Sequence, residues 1–510
     1  MPGDSGKATI ARPAKMPEDQ PEHSRVDIER PPAAEEPINT AADPDVVDFD
    51  GPDDPDKAMN WPPGKKAATL GMVTVMTLLS PIGSTISAAA AKDIMLHFNS
   101  TSNTLSAFVT TVYLLGWVCG PIVIAPLSEL YGRAVLYKVC IVLFLLFNVA
   151  CAVSNSLASL IVFRLLAGIA SSCPVTLGTG SIADMVPAER RAGVIGAYVI
   201  GAVLGPTIGP IAGGYLTPAL GWRWAFWVMA IAASPLCLVV VLFMRESYPF
   251  VLLQRKTMRL RRETDNPRLR SALDTGRTTH ELFRCTIFRP FKMLLMPIVF
   301  LLSLYTATVY SYLYLCFTTF PQVFGVQYGF GSGPSGLATL GLGVGSILGV
   351  LFCGGVSDGL SVHLAKKNDG KVKPEYRLPS IIIGGVCVPI GLFWYGWTAE
   401  KKLHWILPII GTGFLGAGMT ITYMAATLYL VDAYTAYAAS VTASNTVFRC
   451  LCATFPPLAG PALYERLGVG WGNSLLGFVA VAFIPLPCVF YLCGERIRES
   501  KHSQAQFSAI

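Results

Sequence analysis

Residues Gly196–Leu216 read GAYVIGAVLGPTIGPIAGGYL, with glycine at 196, 201, 205, 209, 213 and 214 and a proline directly after two of them, Pro206 and Pro210. Such a density of glycine suits a phosphate-cradling loop, a collagen-like tract or a helix that another helix must approach closely. A dinucleotide loop needs a preceding strand, and collagen needs glycine at every third residue. Here Gly201, Gly205, Gly209 and Gly213 recur every fourth residue, which places them on one face of a helix. In lipid, such small-residue stripes let two backbones come together. Pro206 and Pro210 each remove a backbone donor and bend that helix. The same reasoning assigns GLGVGSILG (Gly341–Gly349) to helix packing, because it has no full G-x-G-x-x-G and no strand before it.

The surrounding chain supports a membrane setting. Of 510 residues, 52% are hydrophobic and 14% charged, with a mean hydropathy of +0.51, whereas soluble domains carry about 25% charge. The net charge of +7 is modest, and its basic residues cluster between apolar spans rather than forming a nucleic-acid-binding face. The thirteen cysteines lie mostly inside apolar runs without a C-x-x-C, as small packing residues rather than a metal or redox framework. The first 37 residues have no apolar run, so no cleavable signal is expected.

A helix crosses the ~30 Å hydrocarbon core with about 20 apolar residues. Twelve candidate spans lie near 67–90, 105–126, 134–153, 157–182, 193–216, 224–244, 294–317, 337–356, 379–397, 405–431, 436–460 and 475–494. Lys and Arg crowd one set of alternate loops, including Arg133, Lys138, Arg190, Arg191 and the long 245–293 segment; the opposite loops hold few. The positive-inside rule then puts both termini and the central loop in the cytoplasm. The sequon Asn99-Ser100-Thr101 falls on the other side and is a candidate glycosylation site.

The expected organisation is all-α and polytopic. A disordered tail covers 1–66, a six-helix bundle 67–244, a cytoplasmic central loop 245–293, a second six-helix bundle 294–494 and a short tail 495–510. An internal repeat supports two pseudo-symmetric halves: Ser128-Glu129 follows the second span and Ser357-Asp358 the second span of the second half. Parallel halves with a site between them near the midplane are a transporter plan.

Charges at bilayer depth are costly and mark function. Arg164 and Arg449 are central, with Asn445 one turn before Arg449. Asp93, Glu129, Asp184, Glu246, Asp358 and Asp432 all fall at span ends. A proton carrier is therefore expected near an interface, with Glu129 and Asp93 as candidates. A polyamine-like dication would need buried carboxylates in return for lost hydration, and the centre offers none. The aromatics Tyr113, Trp117, Tyr305, Tyr310, Tyr312, Tyr314 and Tyr423, with the two arginines, suit a neutral or weakly acidic aromatic cargo held by stacking and hydrogen bonds.

Several stretches carry a family resemblance. APLSELYGRA (Ala125–Ala134) resembles the loop signature between helices 2 and 3 of the major facilitator superfamily, matching at Gly132 and Arg133, with Glu129 in place of Asp, Ala125 in place of Gly, and Leu130 and Ala134 in place of bases. RLLAGIASS resembles the fourth-helix motif, with Arg164 four residues before Gly168. Gly196, Gly205, Gly209, Pro210, Gly213 and Gly214 match the fifth-helix motif of proton-coupled antiporters without a gap. Residues 50 to 500 resemble the fungal twelve-helix drug:proton antiporters.

The resemblance implies a plasma-membrane efflux pump for a secondary metabolite, toxin or drug, working as a monomer. It would use the proton gradient and no cofactor, and its partners would be a small molecule and the bilayer, with no nucleic acid. Coupling or conformational roles are expected for Glu129, Arg133, Arg164 and Asp358, and for Asp93 from its place at a span end alone. An importer of a small organic solute and a non-transporting sensor are the alternatives on the same fold. No H-E-x-x-H or G-x-S-x-G appears, and no enzyme is expected.

Overall fold

The computed structural model describes residues 45–51, 54–273, 279–367, 373–434 and 438–498; the side chains of 188–193, 279–286, 358, 362, 365, 438 and 439 fall outside that description. Six long helices come first: α1 (Pro63–His97), α2 (Asn103–Tyr131), α3 (Arg133–Ala152), α4 (Leu157–Met185), α5 (Ala188–Leu220) and α6 (Trp224–Phe243). Two amphipathic helices, α7 (Pro249–Thr264) and α8 (Thr279–Leu294), occupy the central segment. The second half contains α9 (Pro297–Tyr328), α10 (Ser332–Leu337), α11 (Leu340–Phe352), α12 (Asp358–Lys367), α13 (Leu378–Glu400), α14 (Ile406–Ala433), α15 (Ala438–Thr454), α16 (Pro456–Phe483) and α17 (Pro485–Arg498).

Eleven runs among the described residues are long and apolar enough to cross a membrane, and the last, Ser440–Arg498, has 59 residues. At 1.5 Å per residue it would extend about 88 Å, nearly three hydrocarbon thicknesses. It instead turns back at Gly468, whose φ of 76° is open to glycine and strained for other residues. The Glu400 carboxylate accepts Val469 N at 2.8 Å and Gly470 N at 3.2 Å, so it caps the returning helix. That break makes two crossings of the run and twelve in all.

The two halves repeat one arrangement. In the first, α1 packs on α5, α2 on α4, α3 on α4 and α3 on α6. In the second, α9 packs on α15, α11 on α14, α13 on α14 and α13 on α16. The eighth span is built in pieces, α10 and α11 followed by a π-helical turn at Cys353–Ser357 that leads into α12. Ser357 of the repeated Ser-acid pair lies in that turn and accepts from the Ser380 hydroxyl at 2.8 Å. Its partner Ser128 donates to Ala125 O near the end of α2.

Order begins earlier than the tail boundary expected from sequence. Val46–Val47 (β1) pairs in parallel with Arg270–Ser271 (β2) of the central segment. The Lys256 ammonium on α7 meets Asp50 at 2.7 Å and Asp54 at 3.3 Å. Asp54 is itself buried, accepting from Asp50 N and Asp56 N, both at 2.8 Å. Val47, Leu253 and Leu269 form a small apolar core beneath this clasp. Residues 45–51 and 54–60 are therefore fastened to the central segment, and composition alone could not reveal the pairing because the two strands are about 220 residues apart.

Candidate functional site

The α5 glycines pack as a stripe, but against two different partners. A Cβ at Gly205 would lie 2.9 Å from Leu78 O and from the Pro81 ring; at Gly209 it would overlap the Thr85 hydroxyl, and at Gly213 the Ile86 carbonyl. These three glycines let α5 lie against α1. Gly214 faces the other half, where a Cβ would overlap Ser332 O; reciprocally, a Cβ at Gly336 would overlap Pro210 O. Thr339 donates to Thr207 O at 3.2 Å across the same seam. Gly196 corrects the expectation, since a Cβ there would meet nothing within 4 Å.

The prolines explain a neighbouring hydroxyl. Pro210 has no N–H to give the Pro206 carbonyl, and Thr85 of α1 donates to that carbonyl at 3.1 Å. Kink and stripe are thus one device: the bend exposes a carbonyl that the adjacent helix satisfies.

At the end of α2, Gly132 has φ 94°, and a Cβ there would overlap the Glu246 carboxylate. Glu246 accepts from Arg133 N at 2.9 Å and Ala134 N at 3.2 Å, and from Ser247 N and Tyr248 N at 3.1 Å each. An anion thus sits on the N-terminus of α3, where the helix dipole favours it. The Arg133 side chain pairs with Asp184 at 2.7 Å, donates to Leu177 O and lies 5.2 Å from the Tyr248 ring centroid. Burial pushes the Tyr248 phenol above its ordinary range. Asp184 and Glu246 were seen in the sequence only as acids at span ends. Glu129, expected as a proton carrier, is exposed near the end of α2, and its charge adds to the burial that raises the Tyr248 phenol. The second half has its own pairs on this face: Arg377–Asp432, Lys373–Glu495 and Arg498–Glu375.

Deeper in the bundle the two arginines differ. Arg164, 1% exposed, gives Nε to Val109 O at 2.6 Å, Nη2 to Ser84 O and Thr110 O, and Nη1 to Gly83 O. It ties α4 to α1 and α2 through carbonyls, and among the described residues it forms no ion pair. Arg164 also lies 5.3 and 5.6 Å from the Tyr113 and Phe226 ring centroids, whereas Arg449, 4% exposed, lies closer over the rings of Tyr310 and Tyr423, at 4.1 and 4.7 Å from their centroids. Asn445, one turn earlier, accepts from Thr306 at 2.8 Å.

A polar chain joins these groups. The Ser84 and Tyr314 hydroxyls are 2.9 Å apart, and the Tyr314 and Tyr310 rings lie 5.4 Å apart. Tyr314 is one of the cavity aromatics expected from sequence, whereas Ser84 is not; a serine inside an apolar run signals little by itself.

The other aromatic candidates are committed within their own halves. Tyr113 donates to Ser80 O and Trp117 to the Ser171 hydroxyl. Tyr305 stacks on Phe483 at 5.4 Å, and Tyr312 donates to Leu476 O. Of the expected cavity set, Tyr310, Tyr423, Asn445 and Arg449 gather in one cluster, with Tyr314 beside Tyr310. Asp93, nine residues beyond Ser84 on α1, is about 13 Å of helix rise away from it and half-buried near the helix end. Asp358 begins α12, and its side chain lies outside the described residues. Asn99 is exposed in the turn after α1, with φ 52°.

The sequence profile of the Major Facilitator Superfamily matches residues 73–457. The chain belongs to the Major Facilitator Superfamily. It is 54% identical over 466 residues to MFS-type transporter penM of Penicillium rubens, covering 91% of this chain and 92% of that one. It is 43% identical over 476 residues to efflux pump radE of Floropilus chiversii, covering 93% and 88%. The solved structure of the proton:xylose symporter XylE superposes with a TM-score of 0.62 at 17% identity, covering 84% of this chain and 97% of that one, a likeness of fold alone. This Major Facilitator Superfamily protein is a multi-pass membrane transporter and not an enzyme, and its seam between halves is where the Ser84–Tyr314 and Thr207–Thr339 bonds lie.

Proposed function

We propose that this transporter is a proton-coupled antiporter that exports a lipophilic, neutral or weakly acidic aromatic small molecule across the plasma membrane. It acts as a monomer with both termini cytoplasmic. The observation that carries the reading is the α5 seam, where Pro210 and Gly214 meet Gly336 and Ser332 at backbone contact. On this reading the contact, in the half of α5 away from the central loop, forms the closure of the outer end. A closure made of backbone leaves little room for protons or cargo to slip past, which an exchanger needs and a simple pore does not. The name of the Floropilus relative, an efflux pump, agrees with the direction. Exposed Asn99 on that closed face suits glycosylation outside the cell, and Glu129 and Asp93 at opposite ends of the spans are the candidate proton carriers.

Expression in a drug-sensitive yeast tests the direction. Cells producing the protein should hold several-fold less of a fluorescent aromatic compound than control cells, and a protonophore should erase the difference. Greater accumulation would favour the importer, and no difference would favour the sensor.

A further inference from the structure

The two central arginines invite one expectation, yet their donors are used differently. Arg164 spends its N–H groups on four backbone carbonyls. Arg449 does not: its Nε has no hydrogen-bond partner among the described residues, and neither does the Nδ2 of Asn445. Both side chains are more than nine-tenths buried. They lie four residues apart on α15, hence on one helix face. Tyr310 and Tyr423 lie over the guanidinium, and the Tyr310 side chain also hydrogen-bonds it, which leaves Nε as the unpartnered donor. A guanidinium donates in its own plane, so rings over it leave the edge that carries Nε as the direction for a hydrogen-bonded partner. Asn445 has its oxygen occupied by Thr306, which turns its amide to act as a donor.

We propose that Arg449 and Asn445 form the anchor for an anionic group on the cargo, and that the transported class is aromatic weak acids carried as their anions, such as carboxylates or phenolates. This rests on the reading of the chain as a small-molecule exporter and narrows it. A buried guanidinium is costly without an opposing charge, and ring faces offset only part of that cost. A carboxylate or sulfonate meeting Nε and Nδ2 supplies the charge and two in-plane bonds, while its aromatic body stacks on Tyr310 or Tyr423. A cationic drug would face like charge with no carboxylate paired to Arg449 among the described residues, so the same cluster selects against it.

The test compares naphthalene-2-sulfonate, a permanent anion, with neutral naphthalene-2-sulfonamide, by calorimetric titration of the full chain in lipid nanodiscs. The sulfonate should bind at least about ten-fold more tightly, as a buried charge-assisted pair requires. Arg449→Gln should bring the ratio to about one. Asn445→Asp, nearly isosteric and therefore safe for folding, should do the same by placing an internal anion beside the guanidinium. Equal affinities, a ratio that survives both substitutions, or no binding of either probe would overturn the anchor. Uptake of the neutral probe into acid-lumen liposomes together with equal affinities would remove the anchor and leave the exporter reading intact. Absence of binding and uptake for both probes would remove both.

Discussion

The hydroxyls of Ser84 and Tyr314 lie 2.9 Å apart, one on α1 and the other on α9, and so the two halves are bonded at the same residue whose carbonyl accepts from Arg164. A neutral buried hydrogen bond contributes about 0.5–1.5 kcal/mol. Tyr314→Phe should therefore shift the closed conformer toward open by a factor of roughly 2 to 10. Hydrogen-exchange mass spectrometry reads this as faster exchange in α5 and α10. Unchanged exchange there would mean the bond does not hold the halves.

The glycine stripe gives a graded prediction. Gly213→Ala must push α5 from the Ile86 carbonyl, which is backbone and cannot rotate away, and overpacking of that kind costs about 1–3 kcal/mol. Gly201→Ala meets Thr74 O at an ordinary 3.5 Å, and Gly196→Ala meets nothing within 4 Å. Flux assays in proteoliposomes should find Gly213→Ala and Gly205→Leu impaired or proton-leaky, with Gly201→Ala and Gly196→Ala close to the parent. Equal damage at all four positions would contradict close packing as the reason for the glycines.

The Arg133–Asp184 pair is mostly buried, with side chains 16% and 12% exposed. Removing one partner strands the other charge, a loss on the order of 3 kcal/mol. Asp184→Asn and Arg133→Gln should each lower Tm, and the double variant should lose much less than the sum. Additive losses in that thermal double-mutant cycle would show that the two groups do not support one another.

The clasp over α7 has a defined acid limit. Burial tends to raise the Asp54 carboxyl, but the Asp50 and Asp56 amides and the Lys256 ammonium outweigh it and hold it below its ordinary 3.8. Lys256 is raised by Asp50 and Asp54 despite burial. A depressed acid stabilises at all pH above its unfolded value and loses that contribution as pH falls through its lowered one. Limited proteolysis of residues 45–51 and 54–60 should be slow at pH 7 and at pH 5 and accelerate only below about pH 4. Lys256→Met should be cleaved quickly at pH 7, and a transition near pH 6 would point to some other group.

Much of the fold was legible because hydrophobicity and spacing encode it directly. Apolar length marks a span, basic loops mark one face, and a four-residue glycine period marks a close crossing. Less legible were features that depend on which backbone atom lies opposite a side chain. Arg164 and Arg449 look alike in sequence, each a lone base in an apolar run, and both lie over two rings, yet only Arg164 bonds four carbonyls among the described residues. Thr85 gives no hint that it serves Pro206 O. Gly468 sits in a run apolar enough to look continuous, and its turn depends on Glu400, 68 residues away in sequence.

Proton-driven exchange is tested most directly in proteoliposomes containing the purified full chain, with an acid lumen and the fluorescent aromatic compound of the yeast assay outside. Antiport is set by the gradient and not by how each molecule is inserted, so mixed orientation does not blur the result. The account predicts accumulation above the external concentration, collapse on adding a protonophore, and none when the lumen is made alkaline. Accumulation with an alkaline lumen would signify symport, and simple equilibration under both gradients would signify facilitated diffusion; either result would contradict it.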